Sequence, residues 1–518
     1  MPDNIKKILI RGTNWIGDAV LTLPAIRSIR SSSPDAHISL LVKPWVSDVF
    51  QNNPDINEII LYDDSYAGLS GKLKLAAELR RRNFDTAILL QNAFDGALLA
   101  RFAGIPRRTG YKRDGRGFLL TQAIPVSKDI LSQHQVYYYL NLLKAIGMKT
   151  TETHPYMFLT DDERQWARNL IRSELHKGMS RHAAIRPLIG INPGATYGSA
   201  KRWLPERYAE VIRRIIIELN SSVMIFGSAS EKEIADEILT HIDAPYHSFI
   251  LNMAGKTTIR ELASLIAECN AFITNDSGPM HIASALFVPV VGIFGSTDKT
   301  VTGPFGEGHR MISSDIPCSP CMKRECPEGH LQCMSDITAD EVFSALKEVL
   351  PANKAVFLDR DGTVIEDKNY LNSFDNLVVF PDSKESLRKL RDAGFKLIGI
   401  TNQSGIARGI IKESFVTELH AHLKKELGID DFFYCPHLPD EHCPCRKPEA
   451  MLALKAKLLH SVNPEFSYMI GDKELDVQLA YKIGATGILL SPSQPSDTRA
   501  SYVARDLTDA VQWILGRA

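Results

Sequence analysis

The sequence has no long apolar run, no charge excess, no internal repeat and no low-complexity tract, and each absence removes a class of protein. A membrane-spanning helix needs about 18–20 apolar residues in succession. The most apolar stretch here, Ile282 to Phe294, is short and broken by Pro289. Lys+Arg number 60 and Asp+Glu 61, a formal net charge of −1 at pH 7. That argues against a dedicated nucleic-acid binder, which carries a basic domain. Lys6 and Lys7 precede Ile8-Leu-Ile10, but Arg11 ends the run, so this reads as a first strand and not as a signal peptide. The expectation is a cytoplasmic chain. Cysteine is scarce: of eight, seven fall in two tight groups and Cys269 stands alone. Without an export signal, such groups read as metal sites in preference to disulfides. Ala254-Gly-Lys-Thr257 looks like the end of a Walker loop, but Ile250 stands where the upstream glycine is needed.

What is present is strand–helix alternation, and 518 residues are enough for roughly three to four domains. Strands are expected at Lys6–Arg11, Ile38–Val42, Ile59–Leu61 and Thr86–Leu90. A helix with Val20, Leu23, Ile26 and Ile29 on one face follows the first strand. A polar stretch from Thr150 to Arg186 reads as a crossover. A second alternating set begins at Ile189-Gly-Ile-Asn-Pro-Gly194, with later strands at Ser222–Phe226, Ala271–Thr274 and Val290–Phe294. Two doubly wound lobes facing a cleft are predicted, with ligands at the carboxyl ends of the strands. A helix over Ala339–Val349 and a minimal linker, Pro351-Ala-Asn353, close this half. The predicted domains are 1–175, 176–350 and 352–518.

Three stretches in the first half carry chemistry. Gly12-Thr-Asn-Trp-Ile-Gly-Asp18 puts a carboxylate at a cleft-facing helix start, where the plainer reading is an N-cap. Asn192 to Trp203 is a glycine-bearing loop with Lys201 and Arg202. Asn275-Asp-Ser-Gly-Pro-Met-His281 leaves a strand and opens a helix, whose N–H groups can accept phosphate oxygens. Lys201 can offset charge on a departing diphosphate and Asp276 can bind sugar hydroxyls; His281 alone reads as a packed histidine. In number and order, Asn14-Trp-Ile-Gly-Asp18, Phe102 to Tyr111, Asn192-Pro-Gly194, Lys201-Arg-Trp203, Phe226-Gly-Ser228, Met253-Ala-Gly-Lys256 and Thr274-Asn-Asp-Ser-Gly278 resemble the ADP-heptose:lipopolysaccharide heptosyltransferases, type II most of all. The resemblance implies a GT-B fold and inverting transfer without a metal. It also implies Asp18 as base toward a lipopolysaccharide inner-core acceptor, and Lys201, Asp276, Ser277, Gly278 and His281 around ADP-heptose. Arg101, Arg107, Arg108, Lys112, Arg113 and Arg116 form either a solvated basic face or a peripheral docking surface for an anionic lipid at the inner membrane. Cys318-x2-Cys-x4-Cys-x6-Cys333 has the spacing of a tetrahedral thiolate site, but the plainer reading is loose thiols.

The second half starts at Val356-Phe-Leu-Asp-Arg-Asp-Gly-Thr-Val364, roughly 160 residues from the end and so room for one domain. A strand runs into two carboxylates, Asp359 and Asp361, two positions apart: one can attack a phosphoryl group while the other passes a proton. Thr401-Asn402 ends a strand, Arg446-Lys447 supplies fixed positive charge, and Met469-Ile-Gly-Asp472 ends in a carboxylate suited to magnesium. Cys435-x-His437-x5-Cys443-x-Cys445 offers four soft ligands for a closed, structural zinc site, with His442 as a rival ligand. The Asp-x-Asp-Gly-Thr motif resembles the haloacid-dehalogenase-like (HAD-like) phosphatases. The whole half is similar to the zinc-containing D,D-heptose 1,7-bisphosphate phosphatases, a capless HAD-like type. Histidinol-phosphate phosphatases share the zinc loop and give the alternative. The resemblance implies Asp359 as nucleophile and Asp361 as acid/base. Asp359, Asp361 (through its carbonyl) and Asp472 would bind Mg2+, and Thr401, Asn402, Arg446 and Lys447 would hold substrate. The expectation is an α/β chain carrying two enzymes of lipopolysaccharide heptose metabolism. An end-repair phosphatase fused to a binding module is opposed by the neutral charge and missing P-loop, and an inert scaffold by the complete aspartate–lysine set.

Overall fold

The computed structural model describes residues 5–150, 153–175, 186–493, 495 and 497–517. The chain divides into two compact units, Met1–Leu350 and Pro351–Ala518. Among the described residues no helix is long and apolar enough to cross a membrane.

Three six-stranded parallel sheets make the scaffold. The first contains β1 (Lys7–Arg11), β2 (His37–Val42), β3 (Glu58–Leu61), β4 (Thr86–Leu89), β5 (Arg107–Tyr111) and β6 (Gln122–Ile124), in the order β3-β2-β1-β4-β5-β6. The second contains β7 (Leu188–Asn192), β8 (Ser222–Ile225), β9 (Ile250–Asn252), β10 (Ala271–Asn275), β11 (Val290–Phe294) and β12 (Arg310–Ser313), in the order β12-β11-β10-β7-β8-β9. The third makes up the second unit: β13 (Ala355–Leu358), β14 (Lys396–Asn402), β15 (Asp431–Cys435), β16 (Tyr468–Gly471), β17 (Thr486–Leu490) and β18 (Tyr502–Ala504), in the order β15-β14-β13-β16-β17-β18. Each sheet thus repeats one topology, with its reversal of strand order beside its first strand. That reversal opens a crevice at the carboxyl ends of the strands. Central strands β1, β7, β10 and β13 are almost wholly apolar and buried, as a sheet covered on both faces requires.

The first unit is a GT-B-like pair of lobes. Helix Ile16–Leu21 of the first lobe packs on helix Gly278–Ala285 of the second, and both contribute to one core that includes Ile26, Met157, Met280 and Ile282. The crossover contains the helix Asp161–Leu175, which lies against helix Ile259–Ala267; residues 151–152 and 176–185 of that stretch fall outside the described ones. Arg260 clamps the crossover, bonding Glu163 and the Phe158 carbonyl at 2.7 Å each. Helix Ala339–Val349 returns onto helix Pro205–Glu218.

The basic segment needs one correction. Arg107–Tyr111 is a strand, and Arg116 is fully buried. The Arg116 guanidinium donates to the carbonyls of Tyr111 and Gln91 and to Asn92 Oδ1, and so shapes a loop from within. Only Arg101, Arg107, Lys112 and Arg113 stand exposed, with Arg108 half-buried.

Candidate active sites

In the first unit, β1 delivers the chain to Gly12, and the buried Arg11 guanidinium fixes the turn that follows. It bonds the carbonyls of Gly12 and Leu41 at 2.7 and 3.1 Å and Asn14 Oδ1 at 3.0 Å. Helix Ile16–Leu21 starts there, with Asp18 half-buried in its first turn. Burial, with Asp276 nearby, pushes the Asp18 carboxyl up to about 6, against an opposing pull from Lys201. A carboxyl at that value is ionised yet basic near neutral pH, the condition a general base needs.

Facing it are the loops after β7 and β10. Asn275 knits them: its amide donates to the Pro193 carbonyl at 2.6 Å, and its oxygen accepts from Trp203 N at 3.2 Å and Tyr208 Oη at 3.0 Å. Lys201 Nζ lies 2.6 Å from Asp276 Oδ2. Thr297 and Thr302 donate to the same oxygen at 2.6 and 3.3 Å. Oδ1 is therefore the Asp276 oxygen left for a ligand hydroxyl. Ser277 Oγ is shared with Thr274 Oγ1 and Asn192 Nδ2, at 3.0 and 3.3 Å. Burial pushes His281 down to about 4, so its imidazole is neutral. Its Nδ1 has no hydrogen-bond partner although buried. A buried Glu231 closes the floor; a methyl group on Gly194 would collide with its carboxylate.

In the second unit, β13 leads directly to Asp359. Gly362, at φ 82°, allows the turn and leaves room for Asp472, whose carboxylate would collide with any Cβ there. Lys447 Nζ sits 2.7 Å from both Asp359 Oδ1 and Asp476 Oδ1. Burial lowers the Lys447 pKa, but the two carboxylates more than reverse this and hold it above its usual range. Asn402 accepts from Lys447 N at 2.9 Å and donates to Lys447 O at 3.2 Å, so its amide positions the lysine. Carboxylate oxygens of Asp359, Asp472 and Asp476 lie within 4.8 Å of one another, an arrangement that fits a hard divalent cation. Burial and Asp359 raise the Asp472 carboxyl, a strain such a cation relieves. Asp361 points elsewhere: Gln403 donates to it at 2.8 Å, Thr401 at 3.4 Å, and the buried Arg360 at 3.0 Å. The cavity above these groups has a volume of about 270 Å³ and is lined also by Tyr370, Arg446 and Lys473.

The cysteine–histidine loop follows β15. Sγ of Cys435 lies 3.4 Å from that of Cys443 and 3.3 Å from that of Cys445, and His437 Nδ1 is 3.1 Å from Cys445 Sγ. Four soft donors converge, as a tetrahedral zinc site requires; His442 is outside the cluster. Arg446 and Lys447 follow directly, and Gln403 N bonds the Cys435 carbonyl at 2.7 Å. This loop therefore holds both sides of the Asp359–Asp361 centre.

Comparison with known proteins gives the family. Residues 72–332 match the model of glycosyltransferase family 9 (heptosyltransferase). Lipopolysaccharide heptosyltransferase 2 of Escherichia coli K12 is 32% identical over 356 residues, 67% of this chain and 100% of the relative. The chain belongs to glycosyltransferase family 9. The solved E. coli ADP-heptose lipopolysaccharide heptosyltransferase II superposes with a TM-score of 0.57 at 31% identity, covering 66% of this chain and 98% of that one. Residues 444–510 match a HAD-hydrolase-like model. D-glycero-beta-D-manno-heptose-1,7-bisphosphate 7-phosphatase of Helicobacter pylori J99 is 36% identical over 173 residues, 32% of this chain and 99% of the relative. The family 9 transferase is thus fused to a heptose-bisphosphate-phosphatase-like HAD region.

Within the transferase, Asp18, Lys201, Asp276, Ser277, Gly278 and His281 share one neighbourhood. Within the phosphatase region, so do Asp359, Asp361, Thr401, Asn402, Arg446, Lys447 and Asp472. Sequence reasoning missed Thr297, Thr302 and Glu231 in the first, and Arg360, Gln403 and Asp476 in the second. Thr297 follows β11 at its carboxyl end, and Asp476 stands four residues after Asp472, so strand-end position was the available signal.

Proposed function

We propose that the transferase unit moves heptose from ADP-L-glycero-D-manno-heptose to the heptosyl-Kdo-lipid A acceptor, and that the second unit hydrolyses the 7-phosphate of D-glycero-D-manno-heptose 1,7-bisphosphate. The observation that carries the reading is that each carboxylate with a reaction to perform is held beside a lysine–aspartate pair: Asp18 beside Lys201–Asp276, Asp359 beside Lys447–Asp476. In transfer, Asp18 takes the acceptor hydroxyl proton as that oxygen attacks heptose C1. The C1–O bond to the diphosphate breaks with inversion, and Lys201 offsets the charge on departing ADP. Asp276 orients Lys201 and offers Oδ1 to a sugar hydroxyl, while Ser277, Gly278 and His281 line the donor. This chemistry calls for no metal.

In hydrolysis, Asp359 attacks phosphorus and Asp361 donates a proton to the leaving sugar oxygen. Asp361 then draws a proton from the water that cleaves the aspartyl-phosphate. Lys447, Thr401 and Arg446 hold the phosphate, and Asn402 holds Lys447. Asp359, Asp472 and the Asp361 carbonyl, with Asp476 alongside, would hold Mg2+, which when bound neutralises phosphate charge. Cys435, His437, Cys443 and Cys445 would hold a structural zinc. Metal analysis of Cys443→Ser should show that zinc lost and melting lowered, since metal binding is folding energy.

The chain works in the cytoplasm, with peripheral contact at the inner membrane. Phe118, 77% exposed, pairs with the exposed Phe94 at 6.0 Å, and Lys112 and Arg113 stand exposed in the same segment. The deciding assay compares phosphate release from heptose 1,7-bisphosphate with release from histidinol phosphate by the intact chain. Preference for the bisphosphate by about 10²-fold or more is expected, a difference of roughly 3 kcal/mol in transition-state stabilisation. Preference for histidinol phosphate would replace the reading.

A further inference from the structure

The loop from Ser314 to Cys333, between β12 and helix Gln332–Ser335, is not used by either reaction, yet it is built into the donor side of the transferase. Ala200 N bonds the Arg324 carbonyl at 3.0 Å, and Gly198 has no room for a Cβ against that same carbonyl. The Tyr197 ring lies between Lys201 Nζ, 4.7 Å from its centroid, and the Arg324 guanidinium at 5.1 Å. Met322 N bonds the Ser296 carbonyl at 2.7 Å, and Ser319 Oγ bonds the Gly295 carbonyl at 2.7 Å. The loop thus grips the turn that presents Lys201 and the segment that presents Thr297, two of the three partners of Asp276 Oδ2.

Four of its residues are cysteines, and all four line one cavity of about 20 Å³, the size of a single water or ion. A surface loop with few apolar side chains has little hydrophobic reason to fold back on itself. Its centre is a turn through Gly329 (φ 71°) and Leu331 (φ 49°) that aims successive backbone N–H groups inward. Those of Leu331, Glu328, Gly329 and His330 face the Cys326 sulfur. Turns of this kind cradle anions and metal-bound sulfur. Cys333 is buried beside Gly295, with Cys318, Cys321 and Cys326 as its neighbours.

We propose that Cys318, Cys321, Cys326 and Cys333 bind one soft divalent metal ion, zinc or ferrous iron, as a four-thiolate structural site. Its task is to stiffen the loop that positions Lys201 and Thr297. The spacing and donor type suit tetrahedral coordination, and binding releases the thiol protons. Among the described residues the sulfurs here do not converge as those of Cys435, Cys443 and Cys445 do. Cys318 is exposed, Cys321 and Cys326 are half-buried and Cys333 is buried, so closing the site brings the first three in toward Cys333.

The test is metal content of the intact chain by mass spectrometry, in four forms: native, C318S/C321S, C443S/C445S, and both together. Apart from exchangeable magnesium, two zinc or iron ions per chain are expected in the native protein, one in each pair variant and none in the combination. Cobalt substitution of C443S/C445S should give the thiolate charge-transfer and tetrahedral ligand-field bands of a four-sulfur site. Should C443S/C445S not fold, the native chain decides: reagents for free thiols should reach Cys318 and Cys321 only after a chelator is added. Equal metal content in native and C318S/C321S protein, or prompt reaction of Cys318 and Cys321 without chelator, overturns the proposal. The metal count uses no activity, so its outcome is separate from that of the donor reading. If both hold, C318S/C321S should raise KM for ADP-heptose about tenfold and leave phosphate release unchanged.

Discussion

Gly17 meets His281 across the transferase cleft so closely that a methyl group placed on Gly17 would lie 2.7 Å from His281 Cδ2. One helix turn away, a methyl on Gly278 would lie 3.1 Å from Ile16 Cβ. The two helices that carry Asp18 and His281 are therefore as near as glycine allows. Gly17→Ala must push them apart or tilt the histidine ring, an overpacking that costs about 1–3 kcal/mol. Transfer should fall at least tenfold and phosphate release should not change. Full transfer by a folded Gly17→Ala protein would show that the helix contact does not position the base.

Asp18 gives a pH prediction with a definite sign. Its folded pKa is raised from 3.8 to about 6. The ionised base is lost as pH falls through 6, so kcat/KM for transfer should decline below that value. Stability runs the opposite way. The raised pKa favours the folded state below about pH 4, and that advantage disappears as pH rises through 6. Asp18→Asn should therefore lower transfer by about 10²–10⁴. It should also raise the melting point at pH 7–8, by the equivalent of roughly 1–2 kcal/mol after allowance for solvent access, and leave it unchanged near pH 4. A transfer rate flat from pH 5 to 8 would remove Asp18 from the role.

Asp476 is a residue whose pairing with Lys447 only the fold reveals. It is fully buried, 2.7 Å from Lys447 Nζ, and a Cβ on Gly471 would collide with its carboxylate. Removing one partner of a buried, bonded pair costs about 3–5 kcal/mol, here eased because Asp359 also holds the lysine. Asp476→Asn should weaken magnesium activation of phosphate release about tenfold or more and lower the melting point, while heptosyl transfer persists. Unchanged magnesium dependence would place Asp476 outside the cation site.

Much of this was legible in the sequence because the chemistry sits where apolar strands end. Val356-Phe-Leu358 announces a strand, and the two carboxylates after it can only stand at its carboxyl end. The same holds for β1, β7, β10 and β16. Outer strands were not legible: Arg107–Tyr111, next to one sheet edge, and Ile250–Asn252, at another, are short and partly polar, and pairing with neighbours, more than pattern, makes them strands. Arg116 was misread because charge in a loop resembles a solvated face until the carbonyls around it are known. Asp476 and Thr297 act through partners distant in sequence, Lys447 and Asp276, and no local motif carries that information.

The central claim is that one chain holds two complete and separate reaction centres. It is tested most directly by assaying a single set of intact proteins (native, Asp18→Asn and Asp359→Asn) for heptosyl transfer from ADP-heptose and for phosphate release from heptose 1,7-bisphosphate. The account predicts that Asp18→Asn loses transfer alone, Asp359→Asn loses phosphate release alone, and chelation of magnesium reproduces the second pattern. Loss of both activities from either single substitution, in a folded protein, would contradict it.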